Sequence, residues 1–169
     1  MKRILVILIT GSLFFLESCK DNDPSCTKTV SEAVLAKVDQ TRLAADIATI
    51  DGYLASKSIT AQTEPNGVRY VISNLGTGTT PCLESRIKVT YSGRLLFSGI
   101  PFDSSSTGVT FRLSDLVVGW QLVLPTIPSG SKVTLYIPSG YGYGINIAAG
   151  GKIPSNSNLV FDIELLEVI

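Results

Sequence analysis

The chain has 169 residues, enough for one ordinary domain with additions at its ends. Its 14 basic and 14 acidic residues balance, so no basic surface for nucleic acid is indicated. Histidine is absent, which excludes Ser–His and Cys–His nucleophilic catalysis and removes the commonest metal ligand. We expect neither a metal nor any other cofactor.

Residues 1–18 are typical of an export signal peptide. Two basic residues precede an apolar run, residues 4–16, which is too short for a membrane span of about 20 residues. The next segment, Leu16–Cys19, resembles the lipobox of bacterial lipoproteins. The resemblance implies cleavage before Cys19, acylation of Cys19 and anchoring in a bacterial cell envelope, at the outer membrane and either periplasmic or surface-exposed. An ordinary signal peptide with an incidental cysteine is the alternative.

Residues 19–28 are predicted to be a polar, lipid-anchored tether. Lys20–Asp23 resembles the lysine-plus-acidic tract of surface-exported lipoproteins, although a plain spacer explains it nearly as well. Without residues 1–18, which hold two basic residues and one acidic residue, 12 basic and 13 acidic residues remain, a net charge of −1. Cys26 and Cys82 also remain, and an oxidising compartment permits a disulfide between them. Two free thiols are the alternative.

Residues 29–59 are predicted to form an N-terminal helix. Thr29 with Glu32 three residues later has the pattern of a capping box. Apolar residues then recur mostly at helical spacing to about Lys57, with a slip near residue 40. We expect the helix to be bent or interrupted at that point.

Residues 60–169 have the pattern of an antiparallel sheet with one apolar and one polar face. Turn residues around Pro65–Gly67 mark the boundary with the helix. Gly93 is predicted to turn the chain, with residues 94–97 starting a return strand and residues 98–101 forming another turn. The predicted strands are residues 68–75, 86–92, 109–113, 132–137 and 158–168.

A short apolar segment, Leu116–Leu124, is the only candidate cover for the apolar face of this sheet. Trp120, the only tryptophan, follows Leu116 and Val117 at helical spacing, and its indole N–H needs a partner when buried. The predicted fold class is therefore α+β: an antiparallel sheet of about five strands wrapped around one short helix, preceded by an N-terminal helix.

Several short motifs resemble those of one known family. In chain order they are Val89–Gly93, Phe102–Ser105, Phe111–Leu113, Val117–Trp120, Tyr141–Gly144, Ile153–Pro154 and Leu159–Leu166. Together, in this order and at these spacings, they make residues 67–169 resemble the FKBP-type peptidyl-prolyl isomerases. The resemblance implies that the domain at 60–169 has the FKBP-like fold.

The same resemblance implies an apolar pocket for the proline of an Xaa-Pro bond. Trp120 would be its floor, and the Val117 backbone N–H and the Tyr143 hydroxyl would hold substrate carbonyls. The implied catalytic residues are Asp103, Tyr143 and Phe102. The implied substrate-binding residues are Tyr91, Phe102, Val109, Leu116, Val117, Trp120, Tyr143, Ile153 and Phe161. Val109 stands where many members carry an aromatic residue.

The implied function is a peptidyl-prolyl cis-trans isomerase that acts on proline-containing polypeptides and assists the folding of exported proteins. Such catalysis needs no nucleophile, so the missing histidine is no objection. A non-catalytic peptide-binding or chaperone-like lipoprotein is the alternative, and a surface lipoprotein that binds environmental ligands is a third reading. Because the helical segment is shorter than the dimerisation arms of larger members, we expect a monomer.

Overall fold

A computed structural model of the chain describes residues 26–169, so the predicted signal peptide and the lipid site at Cys19 lie outside the described residues. Its α-helices and strands, in chain order, are α1 (Glu32–Leu35), α2 (Gln40–Ser56), β1 (Gln62–Thr63), β2 (Arg69–Asn74), β3 (Arg86–Leu95), β4 (Pro101–Arg112), α3 (Val118–Val123), β5 (Lys132–Ile137) and β6 (Leu159–Val168). The predicted α+β class is confirmed. No helix in this described part is long and apolar enough to cross a membrane.

The strands form one antiparallel sheet in the order β1-β2-β5-β6-β3-β4. Alternate residues of β5 and β6 point inward, among them the buried Leu135 and Phe161. The inner face packs on α3, as the sequence predicts. Close approach of α3 to β5 depends on Gly119, because a Cβ there would lie 2.6 Å from Ile137 Cγ2.

Strands β3 and β4 are longer than predicted, and the prediction of a turn at Gly93 is wrong. Gly93 lies inside β3, paired with Asp103 of β4 and Phe161 of β6. The chain turns later, where the Leu95 N–H donates to the Ile100 carbonyl. Phe102 and Asp103 consequently lie in strand β4.

The N-terminal helical segment is interrupted near residue 40, as predicted, and gives α1 and α2. Asp39 caps α2 by accepting a hydrogen bond from the Arg42 N–H at 3.0 Å. The predicted capping box is not formed, since α1 begins after Ser31 without a side-chain cap. The break follows from the aspartate, which stabilises a new helix start in place of a continuous helix.

The outer face of the sheet is not uniformly polar, which corrects the sequence-based expectation. Ile50 and Leu54 of α2 are buried against Tyr136 and Val160, which point outward from β5 and β6. Helix α2 therefore buries its apolar side on its own domain. The expected monomer stays a prediction.

A disulfide joins Cys26 to Cys82, whose Cα atoms are 5.2 Å apart. Next to it, the Leu83 N–H donates to the Thr27 carbonyl at 2.7 Å. The bridge spans 56 positions of the sequence, so it restricts the unfolded chain by an amount worth about 4 kcal/mol. It thus fastens the start of the described chain to the loop that leads into β3.

Candidate active site: an aromatic pocket between α3 and the sheet

A cavity of about 250 Å³ opens between α3, strands β3, β4 and β6, and the loop after β5. Its lining is Tyr91, Phe102, Asp103, Phe111, Asp115, Leu116, Val117, Trp120, Tyr143 and Phe161. Most of these residues are aromatic, and the polar groups are two carboxylates and the hydroxyls of the two tyrosines.

The floor of the pocket is a cluster of rings packed edge to face. Trp120 is only 3% exposed, and its ring centroid lies 5.3 Å from that of Phe161 and 5.7 Å from that of Tyr91. Phe102 meets Phe161 at 5.4 Å and 80°. Such T-shaped contacts each add stability beyond their buried area, so the floor is a fixed surface.

The indole N–H of Trp120 has no hydrogen-bond partner among the described residues, contrary to the expectation from sequence. A buried unpaired donor is costly. The group belongs to a residue that lines the cavity, and unsatisfied buried groups of this kind occur at functional sites.

Strand alternation and one glycine bring the rings together. Tyr91 of β3 and Phe161 of β6 point inward from neighbouring strands. Gly93 leaves the space in which Phe102 and Phe161 touch, since a Cβ there would lie 2.5 Å from Phe102 Cε2 and 2.8 Å from Phe161 Cε1.

The rim of the pocket carries a carboxylate and two phenols. The Tyr91 hydroxyl donates to Asp103 Oδ2 at 2.6 Å, and the Ser104 N–H donates to Asp103 Oδ1 at 2.9 Å. Burial, together with the hydrogen bond to Asp103, raises the pKa of Tyr91 well above its usual range. Burial, and then the Asp103 charge, raises the pKa of Tyr143. Both phenols therefore stay protonated and able to donate at neutral pH.

Most of the predicted site residues meet in this cavity. The lining contains Tyr91, Phe102, Asp103, Leu116, Val117, Trp120, Tyr143 and Phe161.

Val109 and Ile153 do not line the cavity. Val109 pairs with Val89 and packs with its short side chain against the core. Ile153 is 1% exposed and belongs to the core.

Phe111 and Asp115 line the pocket but were not predicted as site residues. Phe111 lies two positions after Val109 in β4, so strand alternation places both on one face. Its ring contacts that of Tyr91, with centroids 6.1 Å apart. The sequence contained a signal for Phe111. Val109 leaves the pocket without an aromatic wall at its own position, and Phe111 is the nearest aromatic residue on the same face of the strand.

A larger depression, of about 560 Å³, lies on the exposed face of the sheet. Hydroxyl and charged side chains such as Thr134, Asp162 and Glu164 make up most of its lining. These groups suit water better than an apolar ring, so the smaller aromatic cavity is the candidate site. Within residues 26–169, no group of three or more His, Cys, Asp or Glu side chains is placed to bind a metal ion.

Comparisons with known proteins identify the family to which the chain is similar. Residues 78–166 match the family model described as FKBP-type peptidyl-prolyl cis-trans isomerase. FkpA of Buchnera aphidicola subsp. Acyrthosiphon pisum, a protein named as an FKBP-type isomerase, is 39% identical over 107 residues, which cover 62% of this chain and 43% of FkpA. FkpA of Aeromonas hydrophila is 37% identical over 121 residues, 69% of this chain and 44% of the relative. The chain thus spans less than half the length of these curated relatives.

One solved structure is similar to this chain over nearly the whole length of the solved protein. The crystal structure of a peptidyl-prolyl cis-trans isomerase from Pseudomonas syringae pv. tomato superposes with a TM-score of 0.64 at 33% identity, covering 73% of this chain and 93% of that chain.

Proposed function

The chain belongs to the FKBP-type peptidyl-prolyl cis-trans isomerases, and we propose that it catalyses the isomerisation of Xaa-Pro bonds in exported polypeptides. One observation carries the proposal: a small cavity floored by Trp120 and walled by aromatic rings, with a carboxylate and phenols at its rim. It is the kind of surface that accepts the apolar proline ring and leaves the adjacent peptide bonds at the polar edge.

Catalysis follows from differential binding of the twisted amide. Rotation about the bond faces a barrier of about 18–20 kcal/mol because amide resonance is lost. The twisted amide has less charge separation than the planar one, so a dry aromatic pocket favours it over the ground state. No covalent step and no proton transfer is needed.

Two donors are available to hold the substrate backbone. The Val117 N–H, just before α3, makes no hydrogen bond within the described residues and is free to donate to a substrate carbonyl. The Tyr143 hydroxyl, also at the rim of the pocket, is free to hold a second carbonyl. With the proline ring on Trp120, these contacts fix one side of the bond while the other side rotates.

The test is cis–trans exchange of a Leu-Pro peptide, measured by NMR with the purified protein. We expect faster exchange at catalytic protein concentrations, and a decrease of about fivefold in Trp120→Leu, because a smaller floor binds the proline ring less well. Peptide shifts without faster exchange would support the non-catalytic peptide-binding alternative. If the protein causes neither faster exchange nor peptide shifts, the result would contradict any peptide-binding role for the pocket.

We also infer that a lipid on Cys19 anchors the protein in the cell envelope, on the strength of the apolar run and the lipobox-like segment before it. Cells expressing the whole chain and fed labelled palmitate should label the protein. Cys19→Ala should abolish the label, whereas Cys26→Ser should retain it. Label that persists in Cys19→Ala would contradict the assignment.

A further inference from the structure

Asp46 of α2 is a buried carboxylate, 2% exposed, outside the aromatic pocket. Arg42 Nε donates to its Oδ1 at 2.9 Å. The Ser139 N–H donates to its Oδ2 at 3.0 Å, and the Ser139 hydroxyl donates to the same oxygen. A buried charge is tolerated only when it is paired and hydrogen-bonded. These bonds therefore fasten the N-terminal helix firmly to residue 139.

Ser139 in turn holds the segment that carries Tyr143. Its carbonyl accepts hydrogen bonds from the Gly142 N–H at 3.0 Å and the Gly144 N–H at 2.8 Å. These two glycines flank Tyr143. Asp46 thus fixes the amide end of Ser139, and the carbonyl of Ser139 fixes the backbone on both sides of the tyrosine.

A second connection reaches the same place from the other side. Arg42 Nη2 donates to the Asn156 carbonyl at 3.0 Å. The Asn156 N–H donates to the Gly144 carbonyl at 2.6 Å. Because Arg42 also pairs with Asp46, the two connections share one ion pair and hold the turn between them.

The chain just before α2 packs directly on this turn. A Cβ added at Gly140 would lie 2.4 Å from Val38 Cγ1. The contact leaves no room for a side chain at residue 140. Helix α2 and its leading residues therefore cover the turn at the point where it departs from Ser139.

We propose that Asp46 and Arg42 are positioning residues for Tyr143. The N-terminal helix lies outside residues 78–166, the segment that matches the family model, and sets the place of the Tyr143 hydroxyl at the rim of the pocket. Tyr143 is 38% exposed and sits between glycines, so its own packing fixes it poorly. The kinetic consequence rests on the proposed isomerase function, whereas the structural consequence does not.

The kinetic test is a double-mutant cycle with a Leu-Pro peptide and the purified protein. Asp46→Asn keeps the shape of the side chain but places an amide against the Arg42 guanidinium or the Ser139 donors. We expect it to lower kcat/KM by roughly 3- to 10-fold, because displacing one substrate contact weakens transition-state binding. In a Tyr143→Phe background the same substitution should change kcat/KM by less than about twofold, because the hydroxyl that it positions is already missing.

Asp51→Asn is the matched control on the same helix. Asp51 pairs with Arg69 at 2.8 Å and contacts a different part of the sheet. We expect no change in kcat/KM in either background. If Asp46→Asn fails to fold, Arg42→Met tests the same connections from a side chain that is 44% exposed. Equal losses with and without the Tyr143 hydroxyl would overturn the inference and leave Asp46 with a general stabilising role.

The structural test is ¹⁹F NMR of protein labelled with 3-fluorotyrosine, with the Tyr143 signal assigned from Tyr143→Phe. Asp46→Asn should shift or broaden the Tyr143 signal and leave the Tyr136 signal in place, whereas Asp51→Asn should leave Tyr143 unchanged. An unmoved Tyr143 signal in folded Asp46→Asn would refute the positioning role. This readout needs no isomerase activity, so it separates failure of the inference from failure of the proposed function.

Discussion

Asp103→Ala is expected to lower kcat/KM for Leu-Pro isomerisation by about 10- to 100-fold, the size of effect expected when a hydrogen bond to a charged group that orients a wall of the pocket is lost. The Asp103 carboxylate accepts the Tyr91 hydroxyl at 2.6 Å, and the Tyr91 ring packs edge-on against Trp120. Without the carboxylate, the ring loses the bond that sets its angle over the floor. Asp103 is exposed at the rim, so the fold should survive.

Two companion variants separate the roles of Asp103. If the carboxylate acts by orienting Tyr91, then Tyr91→Phe should reproduce most of the loss, and the double variant should be little worse than either single one. If its charge acts on the substrate, Tyr91→Phe should be much milder. Ser104→Ala is the matched control, because its side chain points to the opposite face of β4 and its N–H remains available to Asp103. Full activity in Asp103→Ala, measured by NMR exchange, would place the site elsewhere.

The sequence predicts those parts of the fold that local alternation determines. Strand β5 was predicted with its observed bounds, Lys132–Ile137, because its inner side chains are buried and the polar ones alternate with them. Trp120 was placed correctly on a short helix that packs on the sheet, because a short apolar helix has only one sheet to cover. Leu116 and Val117 were expected to share that helix, but they precede it with extended backbone and reach the pocket from the segment before α3.

Features that depend on contacts between distant segments were not predictable in this way. Strand alternation does not reveal that Val160 and Tyr136 face a helix far away in sequence, nor that Asp46 reaches Ser139. The role of Gly93 was missed for the same reason. A glycine between two polar residues is typical of a turn, whereas here the missing side chain makes space for rings from two other strands.

Gly93→Ala tests whether the absence of a side chain at residue 93 is required, and we expect it to lower both the free energy of unfolding and the isomerase activity. Gly93 has no positive φ, so the backbone accepts alanine. The new methyl group would lie 2.5 Å from Phe102 Cε2 and 2.8 Å from Phe161 Cε1, well inside the normal contact distance of roughly 3.5–4 Å. Overpacking of this kind costs about 1–3 kcal/mol in the free energy of unfolding. The displaced rings would also narrow the pocket and lower kcat/KM about tenfold or more.

Gly52→Ala makes the same chemical change where nothing lies within 4 Å, on the exposed side of α2. It should leave exchange of the peptide unaltered and raise the free energy of unfolding by about 0.5–1 kcal/mol, since alanine favours a helix over glycine. Urea unfolding and NMR exchange on both variants give the comparison. If Gly93→Ala matches the parent protein in both stability and exchange, the rings of Phe102 and Phe161 can move to make room for the methyl group. The aromatic floor would then be deformable and not fixed. A loss of activity with unchanged stability would instead mean that the rings yield into the cavity at little cost, with substrate binding alone disturbed.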